Sequence, residues 1–158
     1  MSSAAHEQTQ DSSAVFLERL LLLLVVAVSL AAVDQAVKLT LPSPEWALHQ
    51  RSELWFLGSC LLLVAAAPLA RIPSTTVAVA AGIFCGGVLG NVLSASQDAL
   101  AVPNPIVVGS ADGRIAFNVA DLFILSGNLL LMASLIIVLI RNRDRLPVWE
   151  GRRLRRRG

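Results

Sequence analysis

Charged residues are scarce in this chain: they make up 15% of its 158 residues, while 55% are hydrophobic. A soluble domain carries about 25% charged residues, so this composition favours lipid as the surrounding solvent.

Cysteine and histidine are also scarce, with two residues of each. Cys60 and Cys85 both fall in apolar runs, which excludes a disulfide framework. His6 and His49 lie far apart and outside the cluster of polar residues described below, so no metal site is predicted, and no glycine-rich loop suggests a nucleotide cofactor.

The hydrophobic residues concentrate in four segments. They are predicted as spans at about residues 15–37, 54–70, 77–93 and 119–140. Each is close to the ~20 residues that a helix needs to cross the hydrocarbon core, and in lipid the backbone must satisfy its own hydrogen bonds. The sequence therefore predicts an all-α membrane protein, with a four-transmembrane-helix bundle over residues 15–140 and irregular extracytoplasmic connections.

The two ends of the chain differ from the bundle in composition. Residues 1–14 are small and polar, and we expect a disordered cytoplasmic leader. Residues 141–158 form a basic tail that holds eight of the 13 Lys and Arg residues. By the positive-inside rule this tail places both termini in the cytoplasm. An electrostatic anchor on membrane lipids is favoured over a nucleic-acid partner. The acidic leader argues against a cleaved signal peptide.

Few polar residues occur near membrane depth, and they fall at helix ends. Asp34 and Lys38 are four residues apart at the end of span one, so they share one helical face. Asn91 lies at the end of span three, and Asn118 and Asp121 open span four. The predicted topology brings all of them to the outer rim of the membrane. Ionisable residues at such depth are candidates for function.

Each of these features also has a structural interpretation. Asp34 and Lys38 could form only an interfacial ion pair, and the glycines within residues 86–90 could serve close helix packing. Asn118 is a preferred N-cap residue. Asp121 would then lie in the first turn, where the helix dipole favours an anion. The residues alone leave both interpretations open.

Three stretches resemble the lipoprotein signal peptidase (signal peptidase II) family. They are residues 33–38 (VDQAVK), 86–91 (GGVLGN) and 116–121 (AFNVAD). They are similar to the family's D-Q-x-x-K, G-G-x-x-G-N and F-N-x-A-D motifs, in the same order on the same helix ends. The resemblance implies a four-helix aspartic endopeptidase of the bacterial inner (plasma) membrane, which removes signal peptides from lipid-modified prolipoproteins. It also implies that Asp121 is a catalytic aspartate.

The sequence departs from the family pattern at the second catalytic carboxylate. In the family this aspartate lies between the third and fourth helices, where residues 101–106 here place Asn104. An amide cannot act as a base or share a proton as a carboxyl group does, so the dyad looks incomplete. The first outer connection, residues 44–49, also lacks the family's substrate-cradling segment. Asp98, seven residues after Asn91, is the candidate substitute if the third helix continues that far.

Three hypotheses therefore stand. The first is an active, divergent peptidase that uses Asp121 with Asp98. The second is a catalytically silent homologue that binds lipid or peptide without cleaving it. The third is an unrelated small membrane protein such as a transporter subunit, for which ionisable residues near mid-membrane and repeat symmetry are expected; neither feature is evident, so this hypothesis ranks last.

Overall fold

Four long helices dominate the computed structural model, which describes residues 2–110 and 113–145. They are α1 (Ser2–Thr40), α2 (Glu53–Ala66), α3 (Thr75–Gln97) and α4 (Val119–Arg141). Short 3-10 turns cover Glu45–Ala47, Ala67–Arg71 and Arg143–Arg145. The helices provide four stretches long and apolar enough to cross a membrane: Ser13–Thr40, Glu53–Arg71, Thr75–Gln97 and Val119–Arg141. The chain is thus a multi-pass membrane protein, as its hydropathy predicted.

The spans match the predicted segments to within four residues at either end. Polar residues cap the starts of α2 and α3. The Ser52 hydroxyl accepts a hydrogen bond of 3.1 Å from the Trp55 N–H at the start of α2. Ser74 does the same for Val77 at the start of α3, at 3.3 Å. Such caps satisfy backbone donors that the helix itself leaves free. At the other end of α2, Pro68 lies in the 3-10 turn, where its missing N–H ends the regular helix.

The ends of the chain show one difference from the sequence-based expectation. Residues 2–14 are the start of α1, whereas a disordered leader was predicted there. Alanine, glutamate and glutamine in this stretch favour helix, and extending an existing helix costs far less than nucleating one. Residues 146–158 of the predicted basic tail lie outside the described residues. The division into leader, membrane domain and tail stays a prediction.

Helix α3 lies at the centre of the bundle. About two thirds of its most apolar stretch is buried, against 22% or less in the other spans. Glycines make this position possible. A Cβ at Gly86 would come within 3.0 Å of the Ala27 carbonyl oxygen on α1, and a Cβ at Gly87 would collide with the Ala120 carbonyl oxygen on α4. Small residues therefore set the close packing of α1 and α4 against α3.

The large side chains on the outer surfaces of the other helices are exposed. Examples are Leu57 and Leu61 on α2, at 64% and 69%, and Leu125 and Leu129 on α4, at 61% and 62%. Apolar surface of this extent is suited to contact with lipid chains.

The connections at the α4 N-terminal end contain strands, whereas irregular chain was predicted. Strand β1 (Leu48–Gln50) pairs antiparallel with β2 (Ala101–Pro103), which joins the first connection to the second. Strands β3 (Ile106–Ser110) and β4 (Gly113–Phe117) form a hairpin. Two features favour the hairpin: β3 begins with three consecutive β-branched residues, Ile106 to Val108, and Gly109 has a φ of +116°, which residues with a side chain rarely adopt.

Candidate active site

Polar side chains from α1, α3 and α4 meet at one end of the bundle, where α1 and α3 end and α4 begins. Asp34, Asn91 and Asn118 are at most 2% exposed. Burial of polar groups at this depth requires hydrogen-bond partners. These residues were predicted to converge from separate segments of the chain, and the structure does bring them together.

Asp34 and Lys38 form a buried ion pair on one face of α1. The Lys38 Nζ lies 2.7 Å from the Asp34 Oδ2, and the side chains are 4% and 0% exposed. The spacing of four residues had placed both side chains on one helical face, and the ion pair was one of the two interpretations left open by the sequence. Since both charges are removed from solvent, each depends on the other for its stability.

Asp34 also connects α1 to the start of α4. Its Oδ1 accepts a hydrogen bond of 2.8 Å from the backbone N–H of Ala120. That N–H is one of the four at a helix start that have no partner within the helix, and the helix dipole favours an anion there. Gly90 makes room for this carboxylate, because a Cβ at Gly90 would lie 2.7 Å from the Asp34 Oδ2.

The ammonium of Lys38 links α1 to α3. Its Nζ donates to the Asn91 Oδ1 at 2.9 Å and to the Ser94 Oγ at 3.0 Å. The neighbouring Gln35 donates to the Gly90 carbonyl at 2.7 Å and to Ser94 at 3.1 Å. Lys38 is thus held by three partners and has a fixed position.

Asp121 receives hydrogen bonds from two directions. The Asn91 Nδ2 donates to its Oδ1 at 3.1 Å. Its Oδ2 accepts from the Asn118 backbone N–H at 3.2 Å, while the Asn118 Oδ1 accepts from the Asp121 N–H at 2.9 Å. The last two bonds form a capping box. The prediction that Asn118 caps α4 is confirmed, and Asp121 has a structural role at that cap.

Asn104 is 1% exposed, and its hydrogen bonds go to the N-cap residue Asn118 and to His49. The Asn118 Nδ2 donates to the Asn104 Oδ1 at 2.6 Å, and also to the Pro103 carbonyl at 3.2 Å. On its other side the Asn104 Nδ2 lies 2.8 Å from the His49 Nδ1. His49 was placed outside the polar cluster on the basis of sequence. That placement is wrong, because the pairing of β1 with β2 brings it to Asn104.

The direction of these hydrogen bonds fixes the orientation of both amides. The Asn118 Oδ1 accepts from the Asp121 N–H, so its Nδ2 must face Asn104. Asn104 therefore presents its oxygen to Asn118 and its Nδ2 to His49, whose Nδ1 must act as the acceptor. A neutral imidazole with its proton on Nε2 satisfies this arrangement. The position predicted for a second carboxylate is filled by an amide with both ends bonded.

Asp98, the predicted substitute carboxylate, lies directly after the end of α3. Helix α3 ends at Gln97, and Asp98 is the C-cap residue, with a backbone outside the helical region. Its side chain is exposed. Among the described residues, no side-chain hydrogen bond joins Asp98 to Asp121. Helix α3 thus continues for six residues beyond Asn91 and ends one residue short of Asp98.

The cluster contains two carboxylates with different environments. Asp34 is fully buried and paired with Lys38, whereas the hydrogen bonds to Asp121 come from an amide side chain and a backbone N–H. Lys38 and Asn91 lie between them as a hydrogen-bonded bridge. An aspartic dyad requires two carboxyl groups that share a proton. Within the described residues, no second carboxyl group is hydrogen-bonded to Asp121.

Sequence reasoning missed three partners in this cluster. Gln35 and Ser94 connect α1 to α3, and His49 supports Asn104. Gln35 lies within the VDQAVK stretch, so its place in the D-Q-x-x-K motif could have identified it as a member of the cluster. The contact of His49 depends on strand pairing and has no counterpart in the spacing of residues along the chain.

No model of a known protein family matches this sequence, and no curated protein matches it. Among solved structures the chain is similar to a bacterial membrane enzyme whose structure was determined by the in meso method at 2.3 Å resolution. The TM-score is 0.56 and the sequence identity is 18%; the match covers 78% of this chain and 90% of that chain. The likeness shows that this multi-pass membrane protein shares its fold with a bacterial membrane enzyme.

Proposed function

We propose that this chain is a signal peptidase II-like membrane protein that binds lipid-modified peptides and does not cleave them. The three matching motifs support the family, and the fold shared with a bacterial membrane enzyme is consistent with it. We further propose that it lies in the bacterial inner (plasma) membrane with both termini in the cytoplasm, because its basic residues concentrate after α4.

The proposal that the protein does not cleave peptides rests on Asn104, an amide at the position expected for the second catalytic carboxylate. Hydrolysis by an aspartic dyad needs one carboxylate to activate water while the other carboxyl group protonates the carbonyl oxygen. Asp121 could supply only one of these groups. Asn104 is buried, and its amide is held between Asn118 and His49. Turnover is expected to be absent or very slow.

A groove beside the cluster supports binding. A cavity of about 310 Å³ opens between α2, α3 and α4 and is lined by Trp55, Gly58, Ser59, Leu62, Val88 and Ile124. Val88 is three residues before Asn91, and Ile124 is three residues after Asp121, so each shares a helical face with its polar neighbour. The groove therefore leads from lipid toward the polar cluster, as an acyl chain on a peptide would require.

Arg51 contacts Trp55, one of the residues that line this groove. Its guanidinium lies 5.0 Å from the centre of the Trp55 ring. Its Nε is buried and has no hydrogen-bond partner among the described residues. A buried donor without a partner is costly. A carbonyl oxygen of a bound peptide would satisfy it.

The test is a comparison of cleavage with binding, in detergent micelles. A diacylated fluorescent peptide that spans a signal-peptide junction is incubated with the full chain, and an active signal peptidase II serves as the positive control. We expect saturable binding and no product beyond the level of the Asp121→Asn variant. Cleavage by the wild type that disappears in Asp121→Asn would overturn the proposal, and the same assay on Asp98→Asn would identify a substitute carboxylate. Absence of binding would overturn the binding function.

A further inference from the structure

A second cavity lies at the opposite end of the bundle from Asp121. It has a volume of about 370 Å³ and is lined, among the described residues, by Ser13, Phe16, Arg19 and Arg71. It lies between the first turns of the α1 span and the 3-10 turn that follows α2. The proposed peptide-binding function makes no use of this cavity.

Both arginines lie at the boundary of the membrane. Arg19 immediately precedes the apolar stretch of residues 20–33, and Arg71 is the last residue of the second span. Arg19 is 15 residues before Asp34, which along a helix corresponds to roughly 22 Å. The two guanidinium groups therefore lie where the apolar stretches of α1 and the second span end, at the opposite end of the first span from the polar cluster.

The charge of this cavity is not neutralised by the described part of the protein. Among the residues whose side chains are described, 13–110 and 113–144, neither Arg19 nor Arg71 has a carboxylate within ion-pair distance. Glu18 is next to Arg19 in sequence, but its side chain is exposed and outside the cavity lining. The Arg71 guanidinium lies 5.6 Å from the centre of the Phe16 ring, which holds it over the cavity.

We propose that this cavity binds the phosphate of an anionic phospholipid headgroup. Two arginines offer several N–H donors in the planar arrangement that suits phosphate oxygens. The volume falls in the range of small-molecule sites. Further into the span along α1, Leu21 and Leu24 are 63% and 49% exposed and give the acyl chains an apolar surface. A phospholipid would contact both features, the arginines through its phosphate and the apolar surface through its acyl chains. Free phosphate would contact only the arginines. The proposal is independent of the function proposed above.

The experiment uses the purified full chain in detergent micelles. Retention of phosphatidylglycerol and of phosphatidylcholine is measured by native mass spectrometry. We expect one phosphatidylglycerol molecule to be retained in preference to phosphatidylcholine. The double substitution Arg19→Gln/Arg71→Gln should weaken this retention by about 30-fold, which corresponds to about fivefold for each charge.

Arg141→Gln is the control for the single substitution Arg71→Gln. Each removes one charge from an exposed arginine at this end of the bundle, but Arg141 lies outside the cavity lining. We expect its phosphatidylglycerol retention to stay close to that of the wild type. An equal loss in Arg141→Gln would show only diffuse attraction and would overturn the proposal. Displacement of the lipid by an excess of inorganic phosphate would overturn it as well, in favour of a soluble anion.

A second variant guards against misfolding of the double glutamine substitution. Arg19→Lys/Arg71→Lys keeps both charges but loses the bidentate geometry of guanidinium. We expect retention between that of the wild type and that of the glutamine variant. Retention equal to the wild type in both double variants would overturn the proposal.

Discussion

The Asp34 carboxylate accepts a hydrogen bond of 2.8 Å from the backbone N–H of Ala120, 86 residues further along the chain. This bond joins the end of α1 to the first turn of α4, and the same carboxylate pairs with Lys38. One buried side chain therefore holds two spans in register. It also determines where Asp121, the next residue after Ala120, lies relative to α3.

Substitution Asp34→Asn is expected to lower the free energy of unfolding by about 3–5 kcal/mol, because it leaves the Lys38 charge buried without its partner. Unfolding in detergent with increasing dodecyl sulfate, followed by tryptophan fluorescence, measures the change. The double substitution Asp34→Asn/Lys38→Met removes the unpaired charge and should recover part of the loss. An Asp34→Asn variant as stable as the wild type would contradict the role of this pair.

Gly90→Ala is expected to destabilise the protein by about 1–3 kcal/mol. The new Cβ would lie 2.7 Å from the Asp34 Oδ2, so α1 would have to move away from α3. Gly58→Ala on α2 is the control, because no atom lies within 4 Å of its Cβ position; there the substitution should stabilise by up to about 1 kcal/mol. Thermal unfolding of both variants would test this, and equal effects would argue against close packing at Gly90.

Asn104→Leu is expected to cost about 1–3 kcal/mol of stability, because the buried Asn118 amide loses its shorter acceptor. Asn104→Asp keeps an acceptor for Asn118, so its cost should be smaller. The difference between the two variants in thermal unfolding measures the contribution of this hydrogen bond. Equal stability of both variants would show that the Asn104 oxygen contributes little to the cap.

Arg51→Met is expected to reduce the affinity for a diacylated peptide by about tenfold or more, the equivalent of one hydrogen bond to a charged group. Arg114→Met is the control, since Arg114 is exposed, lies 5.4 Å from the Trp46 ring and takes no part in the groove. Fluorescence anisotropy of the labelled peptide gives both affinities. An equal reduction in the two variants would show that charge alone, rather than the Arg51 donor, attracts the peptide.

The proposed orientation predicts the outcome of reporter fusions. A fluorescent protein fused after residue 158 should fold and fluoresce in bacterial cells, since this end is expected in the cytoplasm. Alkaline phosphatase inserted after Ser110, in the β3–β4 hairpin, should be active because the hairpin is expected outside. The opposite pattern would reverse the orientation, and with it the leaflet that faces Arg19 and Arg71.

The four spans and the convergence of their polar ends were predictable from sequence. Hydropathy depends on local composition, and in lipid an apolar stretch of this length has helix as its stable form. The ion pair of Asp34 with Lys38 and the capping box of Asn118 with Asp121 were predictable too, because each involves residues three or four positions apart on one helix. Strand pairing in the connections was missed, since its three- to five-residue segments carry little periodic signal.

Only the tertiary structure decided which of the converging residues touch. The sequence was compatible with an Asn104 side chain bonded to Asp121 or to other residues. It was also compatible with a third helix that included Asp98. The pairing of β1 with β2 instead sets Asn104 between Asn118 and His49, while α3 ends before Asp98. Contacts between residues dozens of positions apart depend on how the helices are rotated and how closely they pack. Helix rotation and packing distance depend on the small residues along the length of α3, such as Gly86, Gly87 and Gly90, together with the residues they face on α1 and α4.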